Sequence, residues 1–261
     1  MTRIAGSHVV VTGGSLGIGL AAAQACAERG ARVSIIGRDR ERLAAAQRQL
    51  GEVAAVASAD VTDPEALDTA FADVAEIHGS CDILVAAAGQ AEPGYFLDLG
   101  TDVFRRQMEL NYFGTLHAVR AALPSMVEQA RGHVVLLSSV SGLIGIFGYG
   151  AYTPTKFAVR GLGEALDSEL RPRGIVTTIV YPPDTDTPGF HRENLTKPPE
   201  TARLSAGIPP VSADRVARAI VRGIERDRLH VAAEWQTRII ARIADLHGPP
   251  VRAAMRWRLR G

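Results

Sequence analysis

Short runs of mostly β-branched residues alternate in this chain with longer stretches of helical character, and this alternation constrains the fold more than any other feature. Six runs are predicted as strands: 8–12, 32–36, 53–58, 83–87, 133–137 and 175–181. The stretches between them are predicted as helices: 18–29, 41–50, 64–78, 101–129 and 152–170. Because the runs are apolar on both faces, they predict a parallel sheet covered by helices on each side.

With right-handed crossovers, this pattern predicts one doubly wound α/β domain of the Rossmann type, with about seven strands. We interpret residues 1–232 as this catalytic domain, since no repeat or linker interrupts the pattern. A segment rich in Pro and Thr, 182–210, breaks the rhythm and is predicted to be a long irregular substrate loop. Residues 233–261 are interpreted as a basic amphipathic extension, because 211–261 hold 11 arginines against five acidic residues.

Composition excludes several classes of protein. The formal net charge of +1 argues against a nucleic-acid binder. Cys26 and Cys81 are too few for a disulfide framework, and neither has a partner at metal-ligand spacing, so no metal is expected. Since the sequence shows no secretory signal and no apolar run long enough to span a bilayer, we expect a cytoplasmic protein that does not cross a membrane.

A glycine-rich turn follows the first predicted strand. Its sequence, TGGSLGIG, leads into the first predicted helix, which is the context in which such a pattern binds a phosphate. Gly13 permits a tight turn, Gly17 lets the backbone approach a pyrophosphate, and Gly19 lets helix and strand lie close together. The helix N-terminus then offers free N–H groups to a diphosphate, although glycines that merely end a strand are the alternative. The predicted cofactor contacts here are Gly13, Ser15, Leu16, Gly17, Ile18 and Gly19.

The end of the second predicted strand indicates which dinucleotide is bound. An acidic residue there would hydrogen-bond the free 2′-hydroxyl of NAD(H), whereas this chain has Gly37, Arg38 and, one helical turn later, Arg42. A small residue and two cations accommodate a 2′-phosphate, so we predict NADP(H) as cofactor. A solvated, charged helix start is the alternative. Asp60 and Val61, after the third predicted strand, are expected to border the adenine.

A tyrosine and a lysine one helical turn apart form the predicted reaction centre. Tyr152 and Lys156 share one face of a helix, where the ammonium would stabilise the phenolate and also grip the nicotinamide ribose. Many helices carry this spacing by chance, so its weight comes from the preceding strand end with Ser138 and Ser139. Asn111 is a poor residue for the interior of helix 101–129 unless its side chain or a kink has a use.

Taken together, TGGSLGIG, an Asn in a long helix, a Ser thirteen residues before a Tyr, and YTPTK resemble the short-chain dehydrogenase/reductase family. The resemblance covers about residues 7–230. It implies a catalytic tetrad of Asn111, Ser139, Tyr152 and Lys156, with Ser138 as the competitor for Ser139. It implies a homo-oligomer, a dimer or a tetramer, and a set of further cofactor contacts: Ala88, Gly89, Pro182, Thr185 and Thr187.

A narrower resemblance lies after the sixth predicted strand. YPPDTDTPGF, ENLTKPPET and GIFGYGAYTPTKFAVRGLGEAL are similar to the 3-ketodihydrosphingosine reductase group of this family. The resemblance implies that Asp184, Asp186 and Phe190 face the substrate. This chain departs from the group in two ways. It shows no counterpart of the membrane-spanning segment with which the eukaryotic members begin. It also has alanine where the family has Asn after the fourth strand, in AAAG at 86–89.

The resemblance implies NADPH-dependent reduction of the C3 ketone of 3-ketosphinganine, a long-chain keto-amine lipid, to sphinganine. In this scheme Tyr152 protonates the alkoxide, Ser139 orients the carbonyl, and Asn111 holds a water that links Lys156 to solvent. The alternative is a ketoreductase for another hydrophobic ketone: a 3-oxoacyl thioester, a steroid or a xenobiotic carbonyl. A nucleotide-binding scaffold is a third hypothesis, and the intact tetrad argues against it.

Two segments lead to predictions beyond the chemistry. Residues 184–210, with Gly189 and Phe190, are predicted to form a mobile lid over the alkyl chain, with an ordered surface loop as the alternative. Residues 235–261 carry arginines beside Trp and Leu, which is typical of a helix that lies peripherally on a membrane surface. Contact with a partner subunit, or a solvated tail, is the alternative for that segment.

Overall fold

The computed structural model describes residues 1–51, 54–234 and 237. Within them, nine strands occur: β1 (His8–Thr12), β2 (Arg32–Gly37), β3 (Ala55–Ser58), β4 (Ile83–Ala86), β5 (Gly132–Leu137), β6 (Ile175–Tyr181), β7 (Thr185–Asp186), β8 (Val211–Ser212) and β9 (His230–Ala232). Seven of these form one parallel sheet in the order β3-β2-β1-β4-β5-β6-β9, and β7 pairs with β8 in a separate ribbon. The predicted doubly wound sheet is confirmed.

Helices cover both faces of this sheet. In chain order the described α-helices are α1 (Gly17–Ala27), α2 (Arg40–Leu50), α3 (Pro64–His78), α4 (Thr101–Met108), α5 (Gly114–Glu128), α6 (Thr153–Leu170), α7 (Pro188–Asn194), α8 (Pro199–Ser205) and α9 (Ala213–Glu225). Val9 and Val11 of β1 join the core cluster with α1 and α9, whereas Val10 joins the cluster with α3, α5 and α6. This alternation is why the strands are apolar at successive positions.

The helix predicted over 101–129 is not continuous. A π-helical turn, Glu109–Phe113, separates α4 from α5 and contains Asn111. Such turns insert one extra residue into a helix and re-aim the side chains around it. The hypothesis that a kink has a use at Asn111 therefore agrees with the structure, while the single uninterrupted helix is wrong.

The prediction of an irregular segment over 182–210 is also wrong. The segment contains β7, α7 and α8. Thr187 caps α7 by accepting a hydrogen bond from the Phe190 amide at 3.1 Å, and Pro188 and Pro199 stand in the first turns of their helices. Proline is favoured in a first turn, so the same residues that indicate a loop also begin two short helices.

The residues that the structure describes do not cover every predicted segment. Of the basic extension over 233–261, only residues 233, 234 and 237 are described, and positions 52 and 53 of the third predicted strand also lie outside the described residues. Among the described residues, no helix is both long and apolar enough to cross a membrane. The same residues contain no group of three or more His, Cys, Asp or Glu side chains placed to hold a metal ion.

Candidate active site

A cleft of about 1210 Å³ runs along the carboxyl edge of the sheet. The turns after β1, β2, β4, β5 and β6 form one side, and α7 and α8 form the other. Ligands of doubly wound sheets bind at this edge. Of the predicted site residues, all within the described part of the chain, only Asp60, Asn111 and Asp186 do not line the cleft. Sequence motifs far apart in the chain therefore meet in one site.

The glycine turn leaves room for a ligand against the backbone. Gly13 and Gly17 adopt positive φ angles of 69° and 56°. A methyl group added to Gly13 would lie 2.7 Å from the Cα of Ala88, and one added to Gly19 would lie 2.3 Å from the Gly13 oxygen. The N-cap residue of α1 is Leu16, whose side chain has no oxygen for the first amides. The first turn of α1 therefore fits the diphosphate of a dinucleotide.

Both arginines of the predicted 2′-phosphate site border the cleft. Arg38 donates to the Asp60 carboxylate at 3.1 Å, and Arg42 pairs with Asp39 at 2.9 Å. The Arg38 side chain is 61% exposed, so its remaining N–H groups reach solvent. Asp60 also accepts from the Thr62 hydroxyl at 2.8 Å, while Val61 lines the cleft. Asp60 thus supports Arg38, and its place beside the adenine stays a prediction.

Lys156 lies buried beneath the phenol ring of Tyr152. Its ammonium donates to the Leu137 carbonyl at 2.9 Å and is 5.6 Å from the centre of the Tyr152 ring. Burial lowers the pKa of Lys156 to about 8. The strand end at Leu137 therefore fixes the lysine one turn into α6, on the side that faces the cleft.

The pKa of Tyr152 is shifted opposite to the direction expected from a neighbouring lysine. Burial raises it, and the negative charges of Glu193 and Asp184 raise it further, whereas a hydrogen bond with Ser139 acts in the lowering direction. Stabilisation of the phenolate by Lys156 therefore stays a prediction. A protonated phenol is the form that a proton donor requires.

The two neighbouring serines have different partners. The Ser138 hydroxyl is buried and donates to the Lys156 carbonyl at 2.8 Å. Ser139 precedes the 3-10 turn Val140–Gly142, where its hydroxyl accepts from the Ser141 amide at 3.1 Å, and its side chain acts to lower the pKa of Tyr152. The geometry favours Ser139 over Ser138 as the serine that faces a substrate carbonyl.

The Asn111 side chain connects the loop after β4 with α6 through hydrogen bonds. Its side-chain oxygen accepts from the Gln90 amide at 2.9 Å, and its nitrogen donates to the Gln90 carbonyl at 3.0 Å and the Thr155 hydroxyl at 3.1 Å. Gly89 is required beside it, because a methyl group there would lie 2.8 Å from the Asn111 oxygen. Both amide N–H groups are thus engaged with protein, which makes Asn111 a positioning residue for the loop after β4 and for α6.

Three residues near Tyr152 were not predicted from the sequence. Tyr149 is buried and its hydroxyl is hydrogen-bonded to Glu193 of α7, and Lys197 lies within ion-pair distance of the same carboxylate. Tyr149 stands three residues before Tyr152, and this spacing was the one local signal available. Glu193 lines the cleft because α7 folds back over it, and Lys197, just after α7, is placed beside it by the ion pair.

The helices α7 and α8 are fastened to the opposite rim of the cleft. Besides the Tyr149–Glu193 contact, the Thr201 hydroxyl donates to the Phe147 carbonyl at 2.8 Å, and the Tyr95 hydroxyl donates to Glu200 at 2.9 Å. These hydrogen bonds span the mouth of the cleft. The mobile lid over 184–210 stays a prediction.

If this segment is a lid, ligands should protect it from proteolysis. We expect trypsin to cleave after Arg192 and Arg203, which are exposed on α7 and α8, more slowly when NADPH and a ketone substrate are both present. Cleavage after Arg48 of α2 serves as the internal control. Equal rates at Arg192 and Arg203 with and without ligands would indicate an ordered surface segment.

The chain belongs to the short chain dehydrogenase family, whose sequence profile matches residues 7–198. It is 38% identical over 260 residues to the 3-ketodihydrosphingosine reductase of Dictyostelium discoideum, covering 92% of this chain and 78% of that protein. It is 40% identical over 228 residues to the 3-dehydrosphinganine reductase of Danio rerio, covering 84% of this chain and 69% of that protein.

Solved structures agree with this assignment. A short-chain dehydrogenase from Streptomyces avermitilis superposes with a TM-score of 0.80 at 31% identity, covering 95% of each chain. The crystal structure of gox2181 gives a TM-score of 0.81 at 29% identity, covering 90% of this chain and 97% of that one. The chain is therefore an oxidoreductase of this family and uses a nicotinamide cofactor.

Proposed function

We propose that this chain reduces the C3 ketone of 3-ketosphinganine to sphinganine with NADPH. The observation that carries the proposal is the Tyr152 phenol above the buried Lys156, with Ser139 in the same cleft as the glycine turn. The names of the relatives in Dictyostelium discoideum and Danio rerio support this choice of substrate. Ile144, Ile146, Leu204 and Ile208 of the cleft offer apolar surface to a long alkyl chain.

The nicotinamide cofactor, when bound, supplies the hydride. Tyr152 gives its proton to the carbonyl oxygen as negative charge develops there, and Ser139 hydrogen-bonds the same oxygen. Lys156 would hold the ribose side of the cofactor, and its positive charge stabilises the phenolate that remains once Tyr152 has given up its proton. Asn111 keeps the loop after β4 against α6, so that the three groups retain their relative positions.

NADPH is proposed over NADH because of the charges at the end of β2. Arg38 and Arg42 both line the cleft, next to the glycine turn. Their ion pairs are with exposed carboxylates, Asp60 and Asp39, and an arginine retains further N–H donors for a phosphate after such a pairing. Both guanidinium groups would attract a 2′-phosphate bound between these two side chains.

The substrate can be tested by comparing ketones. We expect kcat/KM for 3-ketosphinganine with NADPH to exceed that for a 3-oxoacyl thioester or a steroid ketone by at least about tenfold, measured by NADPH absorbance and by detection of sphinganine. Higher turnover of one of the other ketones would assign the chain to the second hypothesis. Turnover of none of them, with NADPH still bound, would support a nucleotide-binding scaffold.

The association of the chain with partners stays a prediction. We propose a homo-oligomer, a dimer or a tetramer, and contact of residues 235–261 with a membrane surface. The exposed apolar side chain of Ile208, which lines the cleft, supports a substrate that arrives from a lipid phase.

A further inference from the structure

Two carboxylates lie near the ammonium of one lysine, close to Tyr152 and to the side of the cleft that α7 and α8 form. Glu193 lies 3.4 Å from the Lys197 ammonium, and Asp184, in the loop after β6, lies 3.9 Å from it. The side chains of Glu193 and Lys197 are only 15% and 5% exposed. Both carboxylates line the cleft. We call Asp184, Glu193 and Lys197 the anionic cluster.

The aromatic residues of the site fix Lys197 in place. Its ammonium lies 4.7 Å from the centre of the Phe190 ring and 5.9 Å from that of Tyr149. Tyr149 is hydrogen-bonded to Glu193, and its ring centre is 5.8 Å from that of Tyr152. The Tyr149 ring therefore connects the anionic cluster with Tyr152, the proton donor. These direct contacts fix the position of the cluster relative to the Tyr152 phenol.

The charges of the anionic cluster do not balance. Two carboxylates face one ammonium, which leaves a formal charge of −1, and among the described residues neither carboxylate has another ion pair. Both carboxylates act electrostatically on the Tyr152 phenol and raise its pKa, so their field reaches the reacting position. Burial of a carboxylate is costly without a compensating cation, and burial raises the pKa of Glu193 accordingly. The cluster is thus short of one positive charge on the side where the substrate reacts.

The substrate of the proposed function carries the missing charge. A 3-keto sphingoid base has an amino group on the carbon next to its ketone, and an alkyl ammonium is positively charged at neutral pH. A ketone whose oxygen contacts Tyr152 and Ser139 places that neighbouring carbon beside the phenol as well. We propose that Asp184 and Glu193 bind the ammonium group of the substrate and make the enzyme selective for 2-amino ketones.

This inference rests on the proposed function, and a matched pair of ketones tests it separately. The pair is 3-ketosphinganine and 1-hydroxyoctadecan-3-one, which differ only in the amino group. In the Asp184→Asn/Glu193→Gln double variant we expect kcat/KM to fall by about thirtyfold for the amino ketone and by less than about threefold for the other. Binding of NADPH and the melting temperature report whether the variant is folded.

Two further variants separate recognition from structure. Asp186→Asn removes a carboxylate from the same segment, but that side chain contacts His191 outside the cleft, so the ratio of the two kcat/KM values should stay as in the parent. Lys197→Gln removes the cation and leaves both carboxylates, so the preference for the amino ketone should be kept or increase. If the anionic cluster is only structural, the double variant and Lys197→Gln will slow both ketones equally.

The outcomes distinguish the two levels of the proposal. A parent enzyme that reduces 3-ketosphinganine, with a ratio that the double variant leaves unchanged, would overturn the inference and leave the proposed function standing. Equal reduction of both ketones by the parent would also overturn it. A parent enzyme that binds NADPH but reduces neither ketone would contradict the proposed function itself.

Discussion

A Tyr152→Phe variant is expected to lose about a thousandfold in kcat for ketone reduction, because it lacks the proton donor to the developing alkoxide. The dissociation constant for NADPH should change by less than about threefold, since the ring and the buried Lys156 beneath it are kept. Steady-state kinetics and a fluorescence titration of NADPH measure the two effects. A Lys156→Ala variant should lose both turnover and cofactor affinity, because Lys156 serves both.

The matched control for this experiment is Tyr112→Phe. Tyr112 is partly buried in the core cluster, with its ring against Phe113, so loss of its hydroxyl leaves the cleft unchanged. Turnover of that variant should stay close to the parent value. Substantial turnover in Tyr152→Phe would mean that Ser139 or another group is the acid.

An Arg38→Asp variant should lower kcat/KM for NADPH by about a hundredfold and that for NADH by only a few fold. Charge-assisted hydrogen bonds from arginine to a phosphate contribute about 1.5–3 kcal/mol, and the new carboxylate would add repulsion. The exchange also leaves Asp60 without its 3.1 Å partner, which disfavours an anion at the same place. Kinetics with both cofactors at saturating ketone give the ratio.

Arg48→Asp, in the last turn of α2, is the control for the change of charge. It should leave the ratio of NADPH to NADH use as it is. Equal losses with both cofactors in Arg38→Asp would contradict the assignment of the 2′-phosphate to this arginine and would point to damage of the strand end.

Local sequence patterns were sufficient to predict most of the sheet and to identify residues that line one cleft. The binding of the cofactor by these residues stays a prediction. The strand at His8–Thr12 and the glycine turn after it are contiguous in sequence, so one short segment contains both the burial pattern and the close approach that Gly13 requires. Tyr152 and Lys156 lie one helical turn apart, and their common face follows from that spacing. The structure agrees with these predictions because each depends on residues that are neighbours in the chain.

The features that the sequence did not predict depend on contacts between segments that are distant in the chain. The direction of the Tyr152 pKa shift comes from burial and from Glu193, which lies 41 positions further along and reaches the site only when α7 covers the cleft. The helices α7 and α8 have seven residues each, too few for a clear apolar period, and they begin at prolines that equally indicate a loop. Neither feature has a local signature in the sequence.

The π-helical turn at Glu109–Phe113 limits how the length of this chain can change during evolution. Loss of one residue there would restore ordinary α-helical winding and remove the local bulge in which Asn111 stands. Asn111 could then no longer face both Gln90 and Thr155. Surface loops elsewhere tolerate insertions and deletions, whereas at this turn, where Asn111 is buried, a single-codon deletion should be as damaging as the loss of a catalytic side chain.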